Sequence, residues 1–236
     1  MQTGSWVGSF GGVLVHPCGA FREWPEKAPF WPPALALMGF NLILSLIALP
    51  KVKAAALLAL EQSPVPAGSP QLAMATTIIN YGVPAMAILG ALAIPLVIWV
   101  LEAVAISLVG RVFFGLQATY GDLLPVTVVA WVPALLGGLI QTVLLLSLPP
   151  EALHQIQLSL AALLPPAPHP GVGYLLLAKI NPFTIWNFLL LGMGTAAVAR
   201  VEQRCGLMVA FVVWLVYVVF SVALGMAGAA FSPAAG

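Results

Sequence analysis

Charged side chains are scarce in this sequence. Of 236 residues only 6% are Asp, Glu, Lys or Arg, against about 25% in an ordinary soluble domain. The 8 basic and 7 acidic groups nearly cancel, leaving a formal net charge of +1. That balance excludes a basic surface for nucleic acid and an acidic tail. Cysteine is scarcer still: Cys18 and Cys205 make neither a disulfide framework nor a zinc motif, and both read as reduced thiols on the cytoplasmic side. His16 beside Cys18 offers two ligands with no third nearby, and a proline-rich turn separates His154 from His169. No metal and no cofactor are therefore predicted. Met1 to Val15 has no Lys or Arg, so the basic region of a cleaved signal is missing and cleavage is not expected.

What the chain has instead is apolar length. Hydrophobic residues make up 61%, in runs that approach or exceed the roughly 20 residues a helix needs to cross a bilayer. The runs are continuous rather than alternating, which disfavours a barrel. The fold class is therefore all-α, a polytopic integral membrane protein in one domain, 1–236, with five transmembrane helices, proline kinks and short interfacial helices.

The N-terminal segment 1–30 reads as glycine-rich and interfacial, ending in a mixture of charge and aromatic rings from Phe21 to Lys27 that suits the headgroup level. The spans are predicted at 31–49, 83–109, 123–148, 182–199 and 207–231. Pro50 stops the first, and Lys51–Gln62 follows as an interfacial helical patch. Ser63 to Pro70 is an exposed loop, and Glu151–Leu164 is a surface helix before the proline turn at 165–170. Arg22, Lys27, Arg111, Arg200 and Arg204 fall on the side of the N-terminus, and Lys51, Lys53 and Lys179 on the other. The bias predicts a cytoplasmic N-terminus and an outside C-terminus.

Polar side chains within the spans are few. Asn41 is expected to bond to a neighbouring helix. Glu102 shares a face with Ile98, Trp99, Ala105 and Ile106. Placing its charge at the bilayer centre would cost about 2.5 to 3.5 kcal/mol, and less near the Arg111 end. It is either a proton or ion site or a hydrogen-bonded carboxyl that locks helix packing. Asp122 reads as a helix cap rather than an acid catalyst. Pro133 predicts a kink in the third span, with Trp131 and Gln141 as side chains that could line a cavity there or bond between helices.

Three passages carry a family resemblance. His16-Pro17 through Phe21 leads into a first span with Pro29. Gly121-Asp122-Leu123-Leu124 is followed by Ala130-Trp131-Val132-Pro133. The fourth span reads Asn181-Pro182-Phe183-Thr184-Ile185-Trp186-Asn187-Phe188-Leu189-Leu190-Leu191-Gly192-Met193-Gly194. In this order they resemble the Yip (Ypt-interacting protein) domain family in its bacterial form. The resemblance covers nearly the whole chain and departs from the family at Asn181, where an acidic residue is common. It implies five membrane helices, a cytoplasmic N-terminus and, for the bacterial form, a prokaryotic plasma membrane. Eukaryotic members are linked to vesicle traffic and Rab-type GTPases; that role is not carried over, because their long cytoplasmic N-terminal region is not expected here and the bacterial members have no assigned biochemical activity.

No catalytic residue is assigned. An intramembrane protease would need a Ser-His or paired-Asp set or a zinc His-Glu motif within the spans, and all three histidines lie outside them. The candidate functional or packing residues are Glu102, Pro133, Gln141, Trp186 and Asn187. The expected activity is non-enzymatic: helix packing, homo-oligomerisation, or association with lipid or another membrane protein. The alternative is a small proton- or ion-coupled transporter or channel using Glu102.

Overall fold

The computed structural model describes residues 6–22, 28–165 and 171–231. Gly4, the headgroup-level mixture at 23–27, His169 with the turn at 166–170 and the tail 232–236 lie outside the described residues, as do the side chains of Cys18, Arg22 and His154.

Every regular element among the described residues is helical: α1 (Trp6–Val15), α2 (Pro17–Arg22), α3 (Trp31–Glu61), α4 (Pro70–Thr77), α5 (Val83–Phe114), α6 (Tyr120–Ala130), α7 (Val132–Ser147), α8 (Val172–Leu177), α9 (Pro182–Ala199) and α10 (Gln203–Phe231). A π-helical turn, Ile78–Gly82, joins α4 to α5. Five stretches among the described residues are long and apolar enough to cross a membrane: Trp31–Glu61, Pro70–Phe114, Tyr120–Ser147, Pro182–Ala199 and Gln203–Ala227.

Several helix bounds differ from the sequence reading, each for a local reason. The first helix does not stop at Pro50 but runs on to Glu61. A proline removes one backbone bond without forbidding the next turn, so Lys51–Gln62 is the end of a long helix rather than a separate interfacial one. The second begins at Pro70, where the Ser69 side chain accepts from the Leu72 N–H, a helix start in which proline's missing donor is no loss. The third begins at Tyr120: Thr119 is its cap, and Asp122 lies inside the first turn, its carboxylate accepting from the Thr119 N–H at 3.0 Å. Asp122 is thus the reciprocal half of a capping box rather than the cap itself. The last starts at Gln203, which places Arg204 within it. The expected surface helix at 151–164 is instead two short 3₁₀ turns, Pro150–Gln155 and Leu160–Leu163. The chain turns extended at Ile156, which stops the first from growing into a helix.

The chain divides into two compact units. The second comprises 34–98 and 135–156. Within it α3 carries Asn41 and Ser45 four residues apart, hence on one face, and Lys53 two turns further on. Asn41 Nδ2 donates to the Ala91 carbonyl at 3.0 Å, Ser45 Oγ to Ala87 at 3.3 Å and Lys53 Nζ to Asn80 at 3.5 Å. Ala91 and Asn80 lie four residues before Pro95 and Pro84, so these are carbonyls that a regular helix would pair with an N–H that proline lacks.

The first unit comprises 1–33, 99–134 and 157–236. Its core joins Val13, Phe21, Ile106, Leu123, Val126, Leu190, Leu191 and Val209. Residues 6–22, expected as a surface-lying start, therefore send Val13 and Phe21 inward. The closest approach is between α9 and α10. A Cβ added at Gly192 would sit 2.8 Å from the Leu207 Cα, and one at Gly206 would strike the Gly192 carbonyl oxygen. The turn between them is closed by Arg200 in the left-handed region, φ 53° and ψ 43°, with the Val201 N–H bonded to Ala196 at 3.1 Å and the Arg200 N–H to Ala197 at 3.3 Å. This is the Schellman closure, more often built on glycine.

Gly192→Ala is expected to destabilise the α9–α10 hairpin by about 1 to 3 kcal/mol, the usual penalty of overpacking. Gly138→Ala, whose added Cβ would meet its nearest neighbour, Leu44 Cδ1, at 3.7 Å, is the control and should be neutral or slightly stabilising. Denaturant unfolding in detergent compares the two.

Candidate functional site

Several polar groups of the first unit meet around Trp131, and Pro133 sets their geometry. Without an N–H at position 133 the helix tightens. The Trp131 N–H donates to Val128 at 3.1 Å, and the Ala134 N–H donates to Trp131 at 2.9 Å instead of reaching back to Ala130. α6 ends and α7 begins at this point. The Ala130 carbonyl is left without its helical donor, and the buried Asn187 of α9 supplies one, its Nδ2 lying 2.9 Å away.

The same turn presents the indole of Trp131 to α5. Trp131 Nε1 donates to Glu102 Oε1 at 3.3 Å, and its ring meets Trp99 edge to face at 6.0 Å and 88°. Phe30 meets Trp99 in the same manner at 6.4 Å. Thr127 Oγ1 donates to the Leu124 carbonyl at 2.8 Å and lies 3.3 Å from that of Trp99. α5 turns Trp99, Ala103 and Ile106 fully inward, and Glu102 stands beside that stripe. Two buried atoms of this cluster have no hydrogen-bond partner: Glu102 Oε2 and Trp99 Nε1. Just before the start of α9, Lys179 Nζ lies 5.8 Å from the centre of the half-exposed Tyr217 ring, a cation–π arrangement.

Of the sequence candidates, Glu102, Pro133 and Asn187 therefore meet around Trp131. Trp186 is partly buried against the core of the first unit, and Gln141 is an exposed side chain of α7 that belongs to the second. The pairing of Trp131 with Gln141 at the kink gives way to Trp131 with Glu102. Trp99, three residues before Glu102 on the same face, joins the site through its ring contact with Trp131, and that spacing is the signal for it in the sequence. The Asn187–Ala130 bond had none, because residues 57 apart in sequence are brought together only by the fold.

Five stretches long and apolar enough to cross a membrane, all helical and with few polar side chains, define a polytopic all-α integral membrane protein. Within that class the chain belongs to the Yip1 domain family, which it matches over residues 11–225. It matches no curated protein and no solved structure.

Asn187→Ala leaves the Ala130 carbonyl unpaired, and an unmet buried acceptor costs about 1 to 3 kcal/mol. In a Pro133→Ala background the restored N–H lets the helix regularise, and the Ala134 N–H can return to Ala130. The Asn187→Ala penalty measured by unfolding should therefore shrink in that background. An equal penalty in both would show that the asparagine does not serve the kink.

Proposed function

We propose that this Yip1 family protein is non-enzymatic and works by association in the membrane, with a second copy of itself or with another membrane protein, and with lipid around it. The observation that carries the reading is the division of α3 into two faces. Asn41 and Ser45 are engaged within the second unit, on the side of the buried Leu37 and Leu44, whereas Ile43, Leu46 and Ile47 are exposed. In its most apolar window only 6% of the residues are buried. A face of that kind fits acyl chains or the apolar face of another helix, and in lipid such contacts rest on close packing rather than on exclusion of water. The arginine bias supports the accompanying orientation, with the N-terminus cytoplasmic. Native mass spectrometry of the protein extracted with its lipid should find a dimer, a higher oligomer or a co-purifying membrane protein. A bare monomer with no partner would overturn the reading.

One observation favours a second reading, in which the protein carries protons or ions across the membrane: the buried Glu102 Oε2 that no protein donor meets. Intramembrane carboxyls commonly mark ion or proton paths. In liposomes, proton- or ion-coupled flux should be present in the wild type and lost in Glu102→Gln. Absence of flux in the wild type, or equal flux in the variant, rejects transport.

A further inference from the structure

We propose that a single water molecule is bound inside the first unit between Trp99 and Glu102, accepting from the indole Nε1–H and donating to Glu102 Oε2. The two protein atoms are complementary: one is a donor without an acceptor, the other a carboxyl oxygen without a donor, and both are buried. They come from residues three apart on one helix, whose Cβ atoms are about 5 to 6 Å from each other. Both residues also flank Trp131, whose Nε1–H is held by the other oxygen of the same carboxyl at 3.3 Å and whose ring lies edge-on to Trp99 at 6.0 Å.

The chemistry selects the occupant. A metal or organic cation would suit the carboxyl and the ring faces but would oppose the indole N–H, which can only donate. An anion would suit the indole and oppose the carboxyl. Water accepts from one and donates to the other, and buried waters characteristically bridge polar groups that the chain leaves unmatched. Leaving either group unmet would cost about 1 to 3 kcal/mol, so one molecule relieves two penalties. Bound there, water also provides Glu102 with a partner for proton exchange that the surrounding apolar side chains cannot supply. The site is independent of whether the protein associates or moves a solute.

The test is radiolytic labelling of the full-length protein in lipid. X-ray activation of a bound water oxidises the side chains beside it, and an H₂¹⁸O pulse reports how fast that water exchanges. After correction for intrinsic reactivity, Trp99 and Trp131 should take up oxygen although Trp99 is fully buried, whereas Phe21, also buried, should not. The label should exchange more slowly than bulk water. Trp99→Phe, which keeps the ring and removes the donor, should lose the label on Trp131. Unlabelled Trp99 and Trp131 in the wild type would overturn the site, as would labelling that follows bulk exchange. Retained label on Trp131 in a folded Trp99→Phe would overturn the assignment of the donor. The wild-type arms decide the question even if that variant fails to fold.

Discussion

A backbone carbonyl without a donor is the constraint on which this structure turns. In a bilayer no water compensates an unmet C=O, so every break in a helix must be answered from inside the protein. This chain carries 21 prolines, several of them within its long helices, and each such proline withdraws one donor. Asn41 meets the carbonyl ahead of Pro95, Lys53 that ahead of Pro84, and Asn187 the one released by the tightened turn at Pro133. The scarce polar side chains are thus placed where the backbone needs them. Each such bond also fixes which helices are neighbours and in what register, because an amide reaches one carbonyl and not the next.

The cluster around Trp131 follows from that solution. A regular helix through Pro133 would leave Ala130 paired with Ala134 and would turn the indole elsewhere. The tightened turn releases one carbonyl to Asn187 and presents one N–H to Glu102. Packing against this cluster is held by the α9–α10 hairpin, where glycine faces glycine and the backbones themselves touch. Small residues allow such contact in membranes, where dispersion and close approach replace the hydrophobic drive that operates in water. Arg200 closes the hairpin in a conformation that costs a non-glycine residue about 1 to 2 kcal/mol, while keeping a basic group in the short turn between the two helices.

Some of this was legible in the sequence. The Asn181-Pro182 start of α9 was, since the asparagine oxygen accepts from the Phe183 N–H at 2.8 Å and proline at the first helical position needs no partner. The kink at Pro133 and the Asn41 bond were legible as kinds of interaction, but their partners were not. Pro50 does not stop α3, because the steric rule for proline is local and a helix continues when the turns beyond it retain their own bonds. Asp122 was placed one role away because its reciprocal partner, Thr119, lay before the expected boundary.

By itself the sequence determined the class: an apolar composition with long unbroken runs leaves helices as the spanning structure, and the order of its degenerate motifs pointed to the family. It also determined the inventory, one carboxyl and a handful of amides, hydroxyls and indoles among the spans. Only the tertiary structure decided how that inventory is spent. A hydrogen bond between helices depends on crossing angle, rotation and depth, and none of these is encoded by residues near one another in the chain. Asn187 therefore became the partner of Ala130, and Glu102 the partner of Trp131 with one oxygen to spare.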